Sequence, residues 1–494
     1  MALNPLLFSA AITILIFSSF SPTLCRDIPT NHHSTQLLDV SASLKLAQDV
    51  LSFNPQSLKP AIILDQDESL IPAIANHSQP FSLPLHSRDS LLNSNHKDYR
   101  SLVLSRLDRD SARVDSLNLK HQLALNGLKR SDLRPTEDQL LRPEDLSTPI
   151  VSGTSQGSGE FFARIGVGQP AKQFYMVIDT GSDVNWLQCQ PCSDCYSQTD
   201  PIFDPSSSSS YSPLSCESSQ CGALETSGCR SGRCLYQVAY GDGSYTVGDF
   251  VTETVSFGGS GGSVRNLALG CGHDNEGLFT GSAGLVGLGG GPLSLTSQIK
   301  ATSFSYCLVD RDSSASSALE FNSASPSDSV FAQILKNGKT KTFYFVELTG
   351  MSVGGVTISF SPSQGSGEGG YIVDSGTAVT RLRTQIYEPL RDEFKRGTQD
   401  LPAANGVALF DTCYDLSSRT SVRVPTVSFL FAGGKAWHLP AKNYLIPVDN
   451  SGTFCFAFAP TTSSLSIVGN VQQQGTRVSY DLANSRVGFS PNKC

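Results

Sequence analysis

The sequence predicts an all-β body made of two related lobes, preceded by a segment of different character. After about residue 150, stretches rich in Val, Thr, Phe and Gly dominate and long helical patterns are scarce, which favours strands joined by turns. One pattern also occurs twice: an apolar strand runs into Asp-Thr/Ser-Gly, at Asp179 and at Asp374, and an apolar-apolar-Gly segment follows later. That Gly comes 108 residues after the Asp in the first copy and 95 in the second. This period is far too long for a solenoid, so we predict two homologous lobes.

The strands predicted for the two copies correspond in order along the chain. Ser, Pro and Asp collect between Asn322 and Ser329, which marks the boundary, and we expect the lobes to span residues 158–325 and 326–494. The predicted strands are Phe161–Gly168, Tyr175–Ile178 and Leu285–Gly287 in the first copy, and Phe343–Gly355, Tyr371–Val373 and Ile467–Gly469 in the second.

The first 25 residues carry no charge and contain an apolar run from Leu6 to Phe20. A run of this length is typical of a secretory signal peptide and is too short to span a bilayer. We therefore expect residues 1–25 to be removed before Arg26 and the protein to enter the endoplasmic reticulum. Final residence outside the cell or in its wall, in the vacuole, or in the endoplasmic reticulum is compatible with these residues.

Residues 26–147 are interpreted as a propeptide with two or three helices and a strand at Phe81–Leu85; a disordered linker is the alternative. Between residues 88 and 134, ten basic residues stand against six acidic ones, whereas the body that follows is net acidic. Asn76 begins an N-glycosylation sequon. The residues with helical spacing are Leu37, Val40, Leu44, Ala47 and Leu51 in one run, and Val103, Leu107, Val114 and Leu117 in another.

Charge and cysteine usage narrow the class of protein. The net charge of −8 argues against a nucleic acid partner, because phosphate binding needs basic patches. Of 13 cysteines, 12 lie from Cys189 onward, and an even number in an exported chain predicts disulfides. A zinc site is the alternative for the Cys-x-x-Cys-x-x-Cys run that begins at Cys189. We expect no cofactor, no metal, no stable membrane insertion and a monomer.

The two Asp turns predict a catalytic pair. If the lobes pack about a pseudo-twofold axis, Asp179 and Asp374 face each other closely, and two such carboxylates share one proton at mildly acidic pH. The ionised one can deprotonate a water that attacks a peptide carbonyl, while the protonated one donates to the carbonyl oxygen. Glycines and small hydroxyl residues suit this tight space, and the supporting residues are Thr180, Gly181, Ser182, Ser375, Gly376 and Thr377.

From about residue 157 the chain resembles the pepsin-like aspartic proteases, because both Asp turns and both apolar-apolar-Gly segments are present in order. The resemblance implies a bilobal pepsin-like fold with a cleft for an extended peptide. It also implies that Tyr240, Gly241 and Gly243 belong to a flap over the cleft and that Trp186 bonds the flap tyrosine. An Asp-Gly pair in a β-rich stretch is a hairpin signal in its own right. Ordinary packing is the alternative for Tyr240 and Trp186.

Within that family the chain is similar to the plant nepenthesin-like group, and above all to its "aspartic protease in guard cell" type. A cysteine-rich insert over residues 189–234 and the Gly270–Asn275 segment carry this likeness. Spacing alone leaves many disulfide connectivities open. The likeness implies the pairs Cys189–Cys192, Cys195–Cys271, Cys216–Cys234, Cys221–Cys229, Cys307–Cys494 and Cys413–Cys455.

These features together predict a secreted aspartic endopeptidase, made as a zymogen and acting on peptide or protein substrates. In zymogens of the family a basic segment fills the acidic cleft, and acid would weaken its ion pairs. We expect release after cleavage between Pro143 and Gly157. The alternative is a catalytically inactive pepsin-fold protein that binds or inhibits another protein, although both Asp motifs are intact here.

Overall fold

Strands dominate the described part of the chain, which confirms the predicted all-β class. All the described residues belong to one compact unit. The predicted signal segment, Asn76, the expected cleavage region, Gly241 and Gly243 lie outside them. The computed structural model describes residues 34–52, 80–91, 96–127, 161–240, 244–258, 262–277, 279–310, 317–360 and 370–494.

The segment before the two lobes contains helices and strands close to where the sequence predicts them. Leu37 is an exception: it lies in a strand, because its backbone pairs with Ser421–Pro425, and the helix begins only after Asp39, whose side chain accepts from the Ala42 N–H at 2.8 Å. No helix in the described ranges is both long and apolar enough to cross a membrane. The elements are β1 (Thr35–Asp39), α1 (Val40–Asp49), β2 (Phe81–Ser87), α2 (Arg88–Leu91) and α3 (Tyr99–Leu125).

The two lobes are built almost entirely from strands. The first half contains β3 (Phe161–Val167), β4 (Lys172–Asp179), β5 (Trp186–Gln188), β6 (Asp194–Cys195), β7 (Ser212–Pro213), α4 (Ser219–Gly222), β8 (Ser227–Arg230), β9 (Arg233–Ala239), β10 (Tyr245–Ser256), β11 (Ser263–Glu276), β12 (Gly284–Gly287), α5 (Leu295–Gln298), β13 (Ser303–Cys307) and β14 (Ser317–Phe321). The second contains β15 (Val330–Leu335), β16 (Phe345–Val346), β17 (Gly350–Val353), β18 (Val356–Ser359), β19 (Gly370–Val373), β20 (Thr380–Arg383), α6 (Thr384–Arg396), β21 (Ala403–Ala404), β22 (Cys413–Asp415), β23 (Ser421–Pro425), β24 (Val427–Phe431), β25 (Lys435–Leu439), β26 (Leu445–Pro447), β27 (Thr453–Phe456), β28 (Phe458–Thr461), β29 (Leu465–Val468), α7 (Asn470–Gln473), β30 (Thr476–Asp481) and β31 (Arg486–Pro491).

Each Asp turn is held by a parallel neighbour from later in the same half. Strand β4 ends at Asp179 and pairs with β12, which places Gly287 opposite Asp179. Strand β19 ends directly before Asp374 and pairs with β29, which places Val468 opposite Val373. The parallel neighbours are the apolar-apolar-Gly segments, so the repeated sequence pattern corresponds to a repeated strand arrangement around each Asp.

Strand β2 lies inside the main sheet, between β3 and β14, and is antiparallel to both. Its alternate residues Phe81, Leu83 and Leu85 are buried. The Phe81 ring stacks on Phe257 and on Phe321, each with 4.8 Å between ring centroids. This part of the segment therefore belongs to the hydrophobic core of the described residues. Burying one such side chain stabilises a fold by about 1.5–3 kcal/mol.

Four of the six implied disulfide pairings were wrong, and strand register explains the first two. Strand β11 pairs in parallel with β5, which places Cys271 opposite Leu187. Cys271 is therefore beside Cys189, with 5.3 Å between their Cα atoms, and bonds it rather than Cys195. Cys195 bonds Cys192 instead.

The other two wrong pairings lie in the cysteine-rich insert. Cys221, in the short helix α4, is buried in the same apolar cluster as Cys234 of β9, and these two are bonded. Cys229 stands directly opposite Cys234 in the β8–β9 hairpin, yet it bonds Cys216. The remaining bridges, Cys307–Cys494 and Cys413–Cys455, are those that the resemblance implied.

Candidate active site

The two Asp turns contact each other through hydroxyl and backbone groups. The Ser375 N–H donates to Thr180 Oγ1 at 2.9 Å, and the Thr180 N–H donates to Ser375 Oγ at 3.3 Å. Thr180 Oγ1 also donates to Asp374 Oδ1 at 3.3 Å. These reciprocal bonds fix one turn against the other, and with them the separation of the two carboxylates.

Each carboxylate is also held by donors of its own turn. The Gly181 N–H donates to Asp179 Oδ1 at 2.8 Å, and the Ser182 hydroxyl donates to Asp179 Oδ2. Thr377 Oγ1 donates to Asp374 Oδ2 at 2.6 Å. Asp179 and Asp374 are fully buried. The hydroxyls at equivalent places in the two turns thus orient both carboxylates.

Arg113 of α3 lies between the two carboxylates. Its Nη2 is 2.5 Å from Asp179 Oδ1 and 3.1 Å from Asp374 Oδ1, and its Nη1 is 2.9 Å from Asp179 Oδ2. A Cβ atom at Gly181 would lie 2.5 Å from this guanidinium, and one at Gly376 would lie 2.6 Å from it. Glycine at both positions therefore leaves the space through which a group can reach the carboxylates.

The ion pair sets the charge state of the site. Burial alone would raise the pKa of Asp179, but the charge and hydrogen bonds of Arg113 outweigh burial, and the pKa of Asp179 is lowered. The two carboxylates in turn raise the pKa of Arg113 against the effect of burial. Asp179 is therefore held in its ionised form, with the Arg113 guanidinium against it. A substrate carbonyl would need the space that this guanidinium occupies.

A second buried ion pair joins α3 to β20, in the half of the chain that contains Asp374; the space between the two halves that α3 occupies here is called the cleft. Asp110 Oδ2 lies 2.7 Å from the Arg381 guanidinium, and Asp110 Oδ1 accepts the Ala378 N–H at 2.5 Å. Sequence reasoning missed Arg113, Asp110 and Arg381. The signal for the first two was present, since Asp110, Arg113 and Leu117 recur at helical spacing and share the buried face of α3.

Buried amides behind the turns were also missed. Asn185 Oδ1 accepts the Gly287 N–H at 3.1 Å. In the second half, Asn470 Nδ2 donates to the Ser375 carbonyl at 2.9 Å, and Gln473 Nε2 donates to the Asp374 carbonyl at 3.2 Å. Asn470 directly follows the apolar-apolar-Gly segment, and a polar amide at that place was the available signal. These bonds satisfy buried backbone groups and hold the turns rigid.

Trp186 and Tyr240 contact each other on one side of the cleft. Trp186 Nε1 donates to Tyr240 Oη at 2.9 Å, and the Phe279 ring lies edge-on to both, with 5.0 Å between centroids in each case. The Tyr240 N–H donates to the Ser244 carbonyl at 2.7 Å, which closes the β9–β10 hairpin around residues 241–243. The tyrosine thus stands at the base of a hairpin, braced by an indole.

A cavity of about 740 Å³ lies beside α3 and extends from Asp183 to Tyr240, with Leu117 and Lys120 of α3 forming one wall. It is a part of the cleft that the helix does not fill.

Within the described ranges, no group of three or more His, Cys, Asp or Glu side chains is arranged to hold a metal ion.

Comparison with known proteins assigns the chain to a family. Two family models match, one described as "Xylanase inhibitor N-terminal" over residues 161–322 and one as "Xylanase inhibitor C-terminal" over residues 343–491. Protein ASPARTIC PROTEASE IN GUARD CELL 2 of Arabidopsis thaliana is 47% identical, covering 84% of this chain and 88% of its own. Aspartyl protease family protein 2 of the same plant is 47% identical over 99% of this chain and 98% of its own. Aspartic proteinase nepenthesin-1 of Nepenthes gracilis is 39% identical over 76% and 87%.

Solved structures agree on the fold. The crystal structure of edgp superposes with a TM-score of 0.57 at 20% identity, covering 67% of this chain and 91% of that one. Basic 7S globulin from soybean superposes with a TM-score of 0.54 at 20% identity, covering 68% and 94%. Both are pepsin-like, which confirms the predicted fold.

The relatives of higher identity are named as proteases and favour the enzyme over the inactive alternative. The chain therefore belongs to the plant pepsin-like aspartic proteases, in the nepenthesin-like group, and is an aspartic endopeptidase.

Proposed function

We propose that this chain is the inactive precursor of a secreted endopeptidase, in which Asp179 and Asp374 are catalytic and α3 is the inhibitory element. One observation carries the proposal: Arg113, from a segment that precedes the protease body, bonds both carboxylates. A substrate carbonyl must reach the same place, so the helix and a substrate exclude each other. Residues 26–147 are then the propeptide, and residues 158–325 and 326–494 are the two lobes.

Once the helix leaves, the two buried carboxylates share one proton, because like charges this close do not both ionise. The ionised carboxylate takes a proton from a water, whose oxygen attacks the peptide carbonyl carbon. The other carboxyl gives its proton to the carbonyl oxygen, which yields a gem-diol intermediate. The carboxyl that took the water proton then protonates the amide nitrogen, the other carboxylate takes a proton from a gem-diol hydroxyl, and the C–N bond breaks to release the acid and the amine. Thr180 and Ser375 keep the carboxylates at a fixed separation during this transfer.

Acid is the proposed trigger, since two groups respond to it in the same direction. The pKa of His121 on α3 is lowered by burial, so docking favours neutral His121 and is weakened as the pH falls below the ordinary histidine value of about 6.5. The pKa of Asp179 is lowered in the docked state, so its contribution to docking is lost as the pH falls below the ordinary Asp value of about 3.9. Protonation of His121 comes first on this scale.

The remaining elements support a secreted protease with a flap. Tyr240 and Trp186 are assigned to substrate binding because their bond lies where β9 meets β10, and Gly241 and Gly243 are assigned with them because they follow Tyr240 in the sequence. Six disulfides within the described residues are compatible with passage through an oxidising compartment. The substrates are then peptides or proteins that meet the enzyme after export.

The test begins with full-length precursor, acidified in steps, with peptide hydrolysis and gel mobility followed together. Asp179→Asn and Asp374→Asn are expected to lower turnover by at least about a thousandfold, since each removes a group that transfers a proton. Asp194→Asn, at an exposed aspartate in β6, is the matched control and should behave as wild type. N-terminal sequencing should show that the active product begins after residue 143.

Two results would contradict these assignments. Turnover retained by either active-site Asn variant would remove the aspartate pair from the mechanism. Full activity in a product that still carries α3 covalently and docked, as judged by protection of Arg113 from trypsin, would remove the helix as the inhibitory element.

A further inference from the structure

The cleft contains an anion-binding arrangement that the aspartate pair does not use. Arg381 of β20 bonds Asp110 of α3 at 2.7 Å. The same carboxylate accepts the Ala378 N–H at 2.5 Å and the Val379 N–H at 3.3 Å. A carboxylate from the propeptide therefore sits on one guanidinium and two backbone donors, all three from the protease body.

The buried position of Asp110 is unusual for its helix. Helix α3 contains three aspartates, and Asp108 and Asp115 are exposed. The side chain of Asp110 is 1% exposed and that of Arg381 is 6% exposed. Buried charges need a partner and hydrogen bonds, and Asp110 obtains both from the cleft wall. Helix α3 thus places its basic Arg113 against the acidic Asp179 and Asp374. On the same face it places the acidic Asp110 against the basic Arg381.

The other contacts of Arg381 do not neutralise it. Its Nη1 donates to the Val379 carbonyl at 2.9 Å, which orients the guanidinium. Among the described residues, Asp110 is the one carboxylate within 4.0 Å of it. When α3 leaves, the Arg381 cation and the Ala378 and Val379 N–H groups, which lie four to seven residues beyond Asp374 in the sequence, face the cleft.

We infer that Arg381, with the Ala378 and Val379 N–H groups, forms a substrate subsite for an acidic side chain, so that the mature enzyme prefers peptides with Glu or Asp near the scissile bond. The inference deepens the proposed function and rests on the departure of α3. In the precursor, the Asp110 carboxylate stands in for the substrate carboxylate, as the Arg113 guanidinium occupies the place of the reacting carbonyl.

The helix sets the distance of this subsite from the reacting bond. Asp110 and Arg113 are three residues apart, which is about 4.5 Å along a helix axis. An extended peptide advances about 3.3 Å per residue. The acidic residue is therefore expected one or two positions from the scissile bond.

The test uses enzyme processed from the full-length precursor and quenched-fluorescence peptides with apolar residues at the bond. Each position within three residues of the bond is occupied in turn by Glu or by Gln, and the readout is the Glu/Gln ratio of kcat/KM at pH 5.5. Because a hydrogen-bonded charge pair is worth more than a neutral bond, the ratio should be at least about 10 at one or two positions. It should fall toward 1 as the pH is lowered to 3, since the Glu side chain has an ordinary pKa of about 4.3.

Arg381→Gln should bring the ratio close to 1, whatever its absolute rate, and Arg381→Lys should keep part of the preference. The matched control is Arg383→Gln on the same strand, whose guanidinium lies over the Tyr371 ring and which should keep the wild-type ratio. A wild-type ratio near 1 at every position, or an unchanged ratio in the Arg381→Gln enzyme, would overturn the subsite. The wild-type series decides the question alone if the Arg381 variants do not fold.

Failure of the proposed function gives a different result. A processed protein that cleaves neither the Glu nor the Gln peptides would refute the proposed activation, and the subsite with it. Cleavage of both peptides at equal rates rejects the acidic subsite and leaves the proposed activation standing.

Discussion

Replacing Arg113 with Met is the most direct perturbation of the inhibited state that we propose. Met keeps much of the length and the helix preference of the Arg side chain but removes the charge that bonds both carboxylates. Loss of one partner from a buried ion pair costs about 3–5 kcal/mol. The docking equilibrium of α3 should therefore weaken by about two to four orders of magnitude.

The assay measures peptide hydrolysis by intact precursor at pH 6, in the interval before a gel shows any processing. We expect the Arg113→Met precursor to hydrolyse peptide at least about a hundredfold faster than the wild-type precursor. It should also bind a peptide transition-state mimic that the wild-type precursor excludes. The two measurements are independent, since the second needs no turnover.

Arg100→Met is the matched control. Arg100 lies on the same helix, is half exposed, and forms an ion pair at 3.7 Å with the largely buried Asp449; a pair this long with one solvent-exposed partner is worth about 0–1 kcal/mol. Its precursor should remain inactive at pH 6. If the Arg113→Met precursor were within twofold of the wild-type precursor in both hydrolysis rate and mimic binding, the reasoning would fail. The helix would then be held without help from the Asp179–Asp374 pair.

Three further outcomes are expected. His121→Phe removes a group whose pKa burial lowers, so docking no longer weakens with its protonation, and the midpoint of acid processing should move to lower pH; an unchanged midpoint would exclude His121 from the trigger. Trp186→Phe removes the 2.9 Å bond to Tyr240 and should lower kcat/KM by up to about tenfold; because Trp186 is fully buried, the cavity it leaves should also lower the free energy of unfolding of the precursor by about 1–3 kcal/mol. Replacing Cys413 and Cys455 with Ser removes a disulfide with a sequence separation of 42 and should lower the free energy of unfolding in urea by about 4 kcal/mol. A loss below about 1 kcal/mol would show that this disulfide does not restrict the unfolded chain.

The fold was predictable because the information for it is local and repeated. Strand β4 and Asp179 are adjacent in sequence, and the same pattern recurs at Asp374, so two copies of one motif indicated two lobes. The contacts of Arg113 were not predictable, since they join residues 66 and 261 positions apart. Helical spacing with Leu117 could place Arg113 on the buried face of α3, but the local sequence does not state which distant turn that face contacts.

The disulfides show the same limit. The pairing of Cys271 with Cys189 depends on the register of β11 against β5, and spacing does not carry register. Leu37 fits a helical repeat with Val40 and Leu44, but its backbone completes a two-stranded sheet with β23. In each case a tertiary contact decided among options that the local pattern left open.

Strand β2 and helix α3 differ in how many of their contacts respond to acid. Helix α3 is held across the cleft by side-chain charges, and protons compete for those. The bonds of β2 to β3 and β14 are between backbone amides, and the stacked Phe81 ring carries no titratable group, but His86 of the same strand has its pKa lowered, first by burial and then by the charge of Arg164. If this segment is the propeptide, as we propose, a drop in pH weakens the docking of α3 through both His121 and Asp179, but weakens the pairing of β2 through His86 alone. Helix α3 is then expected to leave before β2 does, and the order of events in maturation follows from how many groups of each element accept a proton.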